Sequence, residues 1–357
     1  MLVLNHGEVE SILDLGACIR ALEEAYRHMA SAAAVNRPRT HTFIRTSAPD
    51  TFYLLKSMEG GIAHLGVMAL RINSERWRLV RGDRRRREKL PSTADGRFTE
   101  FILLFGIEDG TLLAILPDGH IQRCRVSAAA ALAAKYLARH DSQTLAVFGS
   151  GWQARSQIGA FREVLPIQRI SVYSPTRKHR DKFVQRVSHD LGLTVEAVDE
   201  PKAAVDGADV VALATSAEEP VIQHTWLQKG VHVSTIRSKE VDARVLESCD
   251  LVVVHNRVPA LDFVCGGRLP KEMRSPRIRM RFRDCPQLSD VVSGMHPGRI
   301  HHDQKTLFLQ GGAGGAGLGI QFAAVGNLVY EEARKRGLGH EVPGDWFLDV
   351  ERHPYQV

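Results

Sequence analysis

In TLAVFGSGWQA, residues 144–154, Gly149, Gly151 and Ala154 are spaced as G-x-G-x-x-A. Each position meets a separate demand of gripping a diphosphate. The first glycine allows a tight turn, the second lets the backbone close on phosphate oxygens, and the small third residue lets a helix pack tightly on a strand. The phosphates would rest on the free amides of a helix start, where the helix dipole favours negative charge. The chemistry implied is the binding of a dinucleotide cofactor.

That chemistry needs a strand before the glycines and a helix after them, and both are legible. Leu145, Ala146, Val147 and Phe148 form the short apolar run of a strand buried on both faces, and Trp152 to Val164 carry a helical apolar period. The end of the next strand, Arg169 to Tyr173, decides between the two nicotinamide dinucleotides. An acid there accepts from the ribose 2′-hydroxyl, whereas hydroxyls and cations suit a 2′-phosphate. The chain runs Ser174-Pro175-Thr176-Arg177-Lys178, without an acid. NADP(H) is therefore expected in preference to NAD(H), with Ser174, Thr176 and Arg177 as contacts. The alternative for Arg177 and Lys178 is the start of an exposed helix.

Beyond the glycine turn, strands at Thr194–Val198, Val210–Ala214, Val231–Ile236 and Leu251–His255 accompany helices at Lys178–Leu191 and Pro201–Val205, the alternation of a Rossmann-type doubly wound parallel α/β sheet. Before it, residues 9–34 read as one helix. His41–Thr46, Thr51–Lys56 and Leu65–Asn73 read as strands of a hairpin-rich sheet, with Glu59-Gly60-Gly61 as a turn. Glu108-Asp109-Gly110 joins strands Phe101–Phe105 and Leu112–Leu116 as a hairpin. Val126–Ala138 is an alanine-rich helix, and a domain boundary is expected near Asp118-Gly119. The charged stretch 75–97, with Arg84–Arg87, reads as a solvated loop; only Trp77 interleaves with it, which argues against a nucleic-acid partner. Residues 265–300 read as irregular, Gly311–Gly317 as a hinge, and Gly319–Lys335 as a helix returning to the first domain.

A chain of 357 residues exceeds one comfortable core, so two domains are expected. With 44% apolar and 25% charged residues it is an ordinary globular composition, and a net charge of +6, locally concentrated, does not specify a partner. Five scattered cysteines without zinc-type spacing argue for reduced thiols, with neither disulfides nor a metal site. No leader-like start and no apolar run of spanning length appear, so the expectation is a cytoplasmic protein without a membrane partner.

With these pieces assembled, the chain resembles the ornithine cyclodeaminase/mu-crystallin family. The resemblance is carried by FGIEDGTLLAILPDG (105–119), IQRCRVSAAAALAAKYLA (121–138), FGSGWQA (148–154), VYSPTRKHRDKF (172–183), ADVVALATS (208–216), EEPVI (218–222) and KGVHVSTI (229–236). It implies a homodimer in which 1–118 and 319–357 form an α+β substrate and dimerisation domain and 119–318 the Rossmann domain. It also implies amino or imino acid substrates. Arg125 falls on the family arginine that holds the substrate carboxylate, and Arg39 looks like a second one. Gly149, Gly151, Gln153 and Ala154 match the phosphate turn, and Ala214 and Thr215 the segment lining the nicotinamide. This sequence departs where the family carries a substrate lysine, having Met68, and near a catalytic aspartate, having Arg237, Ser238 and Lys239. Val126 replaces a threonine and Pro175 an arginine.

The resulting expectation is an NAD(P)H-dependent oxidoreductase that moves hydride to or from the carbon of a C=N bond beside a carboxylate. Arg125 and Arg39 would clamp the carboxylate, and Lys56 would stand in for the missing lysine, with Glu100 or Lys239 assisting. His120 reads as structural. The alternatives are a redox-neutral, ammonia-releasing cyclodeaminase and a non-catalytic NADP-dependent binder.

Overall fold

Two sheets organise the chain. The computed structural model describes residues 1–80, 86–265, 268–270, 284–311 and 317–349, and of residues 86 and 87 the backbone only. In chain order, β1 (Leu2–Val3), α1 (His6–Ile12) and α2 (Leu15–Ala30) precede β2 (Ala34–Asn36), β3 (Thr40–Arg45), β4 (Thr51–Ile62) and β5 (Val67–Val80). Then come β6 (Arg86–Leu90), β7 (Thr99–Gly106), β8 (Leu112–Pro117) and α3 (Asp118–Leu137). A parallel series follows: β9 (Thr144–Phe148), α4 (Trp152–Arg162), β10 (Arg169–Tyr173), α5 (Arg177–Leu191), β11 (Val195–Ala197), α6 (Pro201–Val205), β12 (Val210–Leu213), β13 (His232–Thr235), α7 (Ala243–Glu247) and β14 (Leu251–Val254). The chain continues through β15 (Leu261–Cys265), α8 (Leu288–Val292), β16 (Thr306–Leu309), α9 (Gly319–Arg336) and β17 (His340–Glu341).

The second sheet has the order β11-β10-β9-β12-β13-β16-β14, every pair parallel. Its central strands β9, β12, β13 and β16 are buried on both faces, as expected inside a parallel sheet covered by helices. The order reverses between β9 and β12, and a ligand crevice belongs at such a switch point. This is the expected Rossmann-type α/β class.

The first sheet, mainly antiparallel, runs β15-β3-β4-β5-β7-β8-β1-β17, with β2 on β4 and β6 on β5. Burial alternates along β5, so Val67, Ala69, Arg71, Asn73 and Glu75 share the inner face. Helix α9 packs there against β4 and β5. Glycine permits the contact: a Cβ on Gly60 would lie 2.3 Å from Ile320 N, and one on Gly319 would lie 1.9 Å from Glu59 C.

Several local expectations are corrected. Glu59-Gly60-Gly61 is no turn but lies within β4, which reverses at a 3-10 turn, Ala63–Leu65, closed by Gly66 at φ +66°. The helix expected over 9–34 is two helices, because Asp14 takes the N-cap of α2 and accepts from Ala17 N at 2.7 Å. The loop expected over 75–97 is in part a hairpin arm, with Arg76↔Leu90 and Val80↔Arg86 paired. Of the arginine run, 84 and 85 lie outside the described residues, as do 312–316 of the expected hinge. Of the expected irregular region 265–300, residues 266–267 and 271–283 lie outside the described residues and α8 is regular; beyond it, β16 at Thr306–Leu309 was not anticipated. Helix α3 starts eight residues before Val126, so Arg125 lies in its interior rather than at its start. Ala128 to Ala134 are all fully buried, as in a helix apolar on every side. It touches β7 of one sheet and β13 and β16 of the other.

Candidate active site

A cleft of about 740 Å³ opens at the switch point. Gly149, Gly151, Gln153, Ser174, Thr176, Ala214 and Thr215 all line it. Ala154 sits behind the turn, fully buried against Leu145 and Val147. Arg177 is not on the lining; its side chain opens α5, 79% exposed, 3.7 Å from Asp181.

The turn suits a dinucleotide's phosphates. Gly149 has φ +115°, and a Cβ there would lie 2.4 Å from Ala214 O. Gly151 faces open space and N-caps α4 without a side-chain cap, which leaves first-turn amides for an anion. Gln153 Oε1 is buried with no hydrogen-bond partner among the described residues. Among the described residues, no Asp or Glu lines the cleft.

Two residues that sequence reading passed over shape its walls. Arg180, buried on α5, donates to Ser174 O at 3.1 Å and pairs with Asp199, fixing the loop after β10. Glu240, fully buried, accepts from Thr215 N and Oγ1 at 2.7 and 2.8 Å and from Ile236 N and Arg237 N at 3.0 and 2.8 Å. Burial pushes its pKa up to about 7 against the pull of those donors. Neither role is legible locally, since the farthest partner stands 19 positions away for Arg180 and 25 for Glu240.

Ile236 of the lining is linked through residues 310 and 311 to α3. A Cβ on Gly311 would lie 2.7 Å from Ser238 N and 3.1 Å from Ile236 O, and Gln310 Nε2 donates to Val126 O at 2.9 Å, one residue beyond Arg125. Arg125 is buried, within 3.4 Å of Gln321 Oε1 and over the Phe322 ring. Gln321 in turn donates to Tyr26, which is bonded to His255.

Register places the other candidates. His41, Lys56, Asn73 and Glu100 form one cross-strand row, and Met58, Arg71 and Ile102 the next. A Cβ on Gly317 would touch both Met58 Sδ and Arg125 Nη1. Lys56 is paired with Glu75, so it is not the surface lysine that sequence alone allowed. An alternating chain of ion pairs runs Lys56–Glu75–Lys89–Glu100–Arg71–Asp118. Arg39 Nε is buried without a hydrogen-bond partner among the described residues.

Burial, then the charges of Arg71 and Arg125, depress the Arg39 pKa to about 9. Arg125 falls to about 10 through burial and Arg71. Lys56 falls to about 8, chiefly through burial and with Arg39 adding to it, against the pull of Glu75. These mutual effects put Arg39, Lys56, Arg71 and Arg125 in one electrostatic neighbourhood.

Arg71, not residue 68, is the cation that β5 turns inward; Met68 stands an odd number of residues away, on the opposite pleat. An arginine at a core-facing position of an alternating strand is the signal that could have found it. Glu100 is held by Lys89 and Arg71. Lys239 pairs with Glu218 on the cofactor side. His120 bonds Leu13 O at 2.9 Å, a structural place.

The sequence profile of the ornithine cyclodeaminase/mu-crystallin family matches residues 1–337. The chain is 26% identical over 352 residues to the Delta(1)-pyrroline-2-carboxylate reductase of Bacillus cereus, covering 96% of this chain and 99% of that one. It is 27% identical over 348 residues to the alanine dehydrogenase of Archaeoglobus fulgidus, covering 96% and 98%. Among solved structures, Thermococcus litoralis Delta(1)-pyrroline-2-carboxylate reductase in complex with NADH and L-proline superposes with a TM-score of 0.75 at 26% identity, covering 96% of this chain and all of that one.

Proposed function

The chain belongs to the ornithine cyclodeaminase/mu-crystallin family, and from that premise we propose that it is an NAD(P)H-dependent imino acid reductase, interconverting a ketimine and an amino acid. When bound, the nicotinamide cofactor supplies or accepts the hydride. Arg125 meets Met58 across Gly317, Lys56 stands two residues along the same face of β4 opposite His41, and Arg39 lies two residues before His41; this gathering of cations carries the reading, and the mutual lowering of their pKa values agrees with it. Two guanidinium forks clamp the substrate carboxylate and orient the prochiral carbon. Lys56, nearer neutrality than an exposed lysine, holds the proton that makes the imine nitrogen electron-poor and then delivers it.

The cyclodeaminase alternative needs an acid to activate an attacking amine. Around residues 237–239 the carboxylates include Glu240, occupied by backbone and hydroxyl donors, Glu218, engaged by Arg237 and Lys239, and Asp242, which accepts from Val245 N at 2.9 Å. That favours net reduction. The acid-free lining supports NADP(H) over NAD(H), with the 2′-phosphate near Ser174, Thr176 and Arg177.

Residues 1–118 with 319–357 serve as the substrate and dimerisation domain and 119–318 as the nucleotide domain, with β15 lent to the first sheet. Ile44, Leu55, Leu261 and Phe263 are exposed on one outer face of that sheet, which supports a homodimer. No helix among the described residues is long and apolar enough to cross a membrane.

The test is NADPH oxidation with cyclic ketimines and with 2-oxo acids plus ammonia or amines. Substrate-dependent consumption is expected. Ammonia release from a diamino acid without net consumption would point to the lyase, and neither activity to a binder.

A further inference from the structure

We propose that Glu240 is a positioning residue for the redox half of the cofactor: by tying the end of β12 to the end of β13, its buried carboxylate fixes the wall at Thr215 and Ile236 against which the nicotinamide lies. This rests on the assignment of the cleft to a nicotinamide dinucleotide.

At the carboxyl ends of β12 and β13 the ladder runs out: Ile236 N still donates to Leu213 O at 3.1 Å, but the amides of 215 and 237 have no backbone acceptor among the described residues and need others. Glu240 supplies them all. One oxygen takes Thr215 N and Oγ1, the other takes Ile236 N and Arg237 N, so each oxygen accepts twice. Its backbone carbonyl also accepts from Val221 N at 2.9 Å. Thr215, Val221 and Ile236 all line the cleft, so three wall segments converge on this one residue.

Glu218, bonded to Arg237 and Lys239, fastens the same two loops nearer the surface. Among the described residues, the Glu240 carboxylate and not Glu218 is bonded to Thr215 itself. Glutamine has the same shape but one oxygen, and its amide would turn N–H groups toward the N–H groups of the wall. Aspartate keeps the charge on a shorter stem.

These features separate the two halves of the cofactor. The adenosine and diphosphate lie toward the glycine turn and the loop after β10, which Gly149 and Arg180 hold without Glu240. The experiment is calorimetry on the full chain with NADPH and NADH, and with ADP-ribose and its 2′-phosphate, which lack the nicotinamide. Glu240→Gln is expected to weaken the complete dinucleotide about tenfold while ADP-ribose binding moves less than about twofold, with Glu240→Asp in between. Equal weakening of both ligands, or no weakening of either, overturns the positioning role.

If Glu240→Gln does not fold, Thr215→Val removes one of the two ties at 215 with the carboxylate in place. About threefold selective weakening of the dinucleotide is then expected, and an unselective or absent effect overturns the proposal. Failure of the unaltered protein to bind either dinucleotide is a different result, and it removes the reading of the cleft on which the proposal stands.

Discussion

On the proposed carboxylate clamp, replacing Arg125 by leucine should separate substrate binding from cofactor binding. Arg125 projects from the interior of α3 and does not line the dinucleotide cleft. A hydrogen bond between charged partners contributes about 1.5–3 kcal/mol, so a two-bond fork on a carboxylate amounts to about 3–6 kcal/mol. At about 1.4 kcal/mol per factor of ten, kcat/KM should fall at least ~100-fold. The fold should hold, because Gln321 Oε1 keeps its bond from Leu318 N at 3.1 Å and one of three neighbouring guanidinium charges is gone. Arg125→Lys keeps the charge without the fork and should fall between the two. The assay is steady-state NADPH oxidation on the best ketimine, with dinucleotide affinity measured in parallel. A loss of kcat/KM under about fivefold, or an equal loss of cofactor affinity, would refute the clamp.

With Lys56 as the proposed proton donor, its protonated form would be active in the reducing direction; with burial lowering its pKa to about 8, log kcat/KM should decline as pH rises through about 8. Lys56→Met should flatten that limb and lower the rate about 100-fold, and an unchanged profile would remove Lys56 from the mechanism. Gly149→Ala forces a side chain into φ +115° and against Ala214 O, so it should cost about 1–3 kcal/mol of stability and abolish dinucleotide binding; a normal Tm with normal binding would contradict this. NADPH should bind more tightly than NADH, and Ser174→Asp should reverse the order by repelling a 2′-phosphate while accepting from a 2′-hydroxyl. Competition titrations with both dinucleotides decide that point.

The nucleotide half was legible because its constraints are local. Strands buried on both faces read as apolar runs, and the glycines of 149–151 answer to a backbone conformation and an approach that the turn itself imposes. The substrate half was less so, because its constraints come from distant residues. Gly60-Gly61 looks like a turn, yet Gly60 is small because Gly319 must lie against it. The first turns of α3 hide their helical character: Asp118 faces Arg71, 47 residues earlier, and a helix buried on all sides has no polar face to betray its period. Lys89 belongs to a charged stretch that reads as solvated, but pairing of β6 on β5 swings it onto Glu75 and Glu100. Arg125 and Arg39 were identified from a resemblance and Lys56 from its strand beside Met68; the register pairs Lys56 with His41, two residues beyond Arg39, and only the packing of α3 brings Arg125 close enough to act on Arg39.

The most direct measurement follows the hydride. NADPH carrying deuterium at nicotinamide C4, on the face that the enzyme uses, is mixed with a cyclic ketimine acid, and the product amino acid is examined by mass spectrometry and NMR. One deuterium at the α-carbon per NADPH oxidised is the expected result. An amino acid without that deuterium, or no dinucleotide oxidation with any ketimine or 2-oxo acid and amine offered, would contradict imino acid reduction at this site.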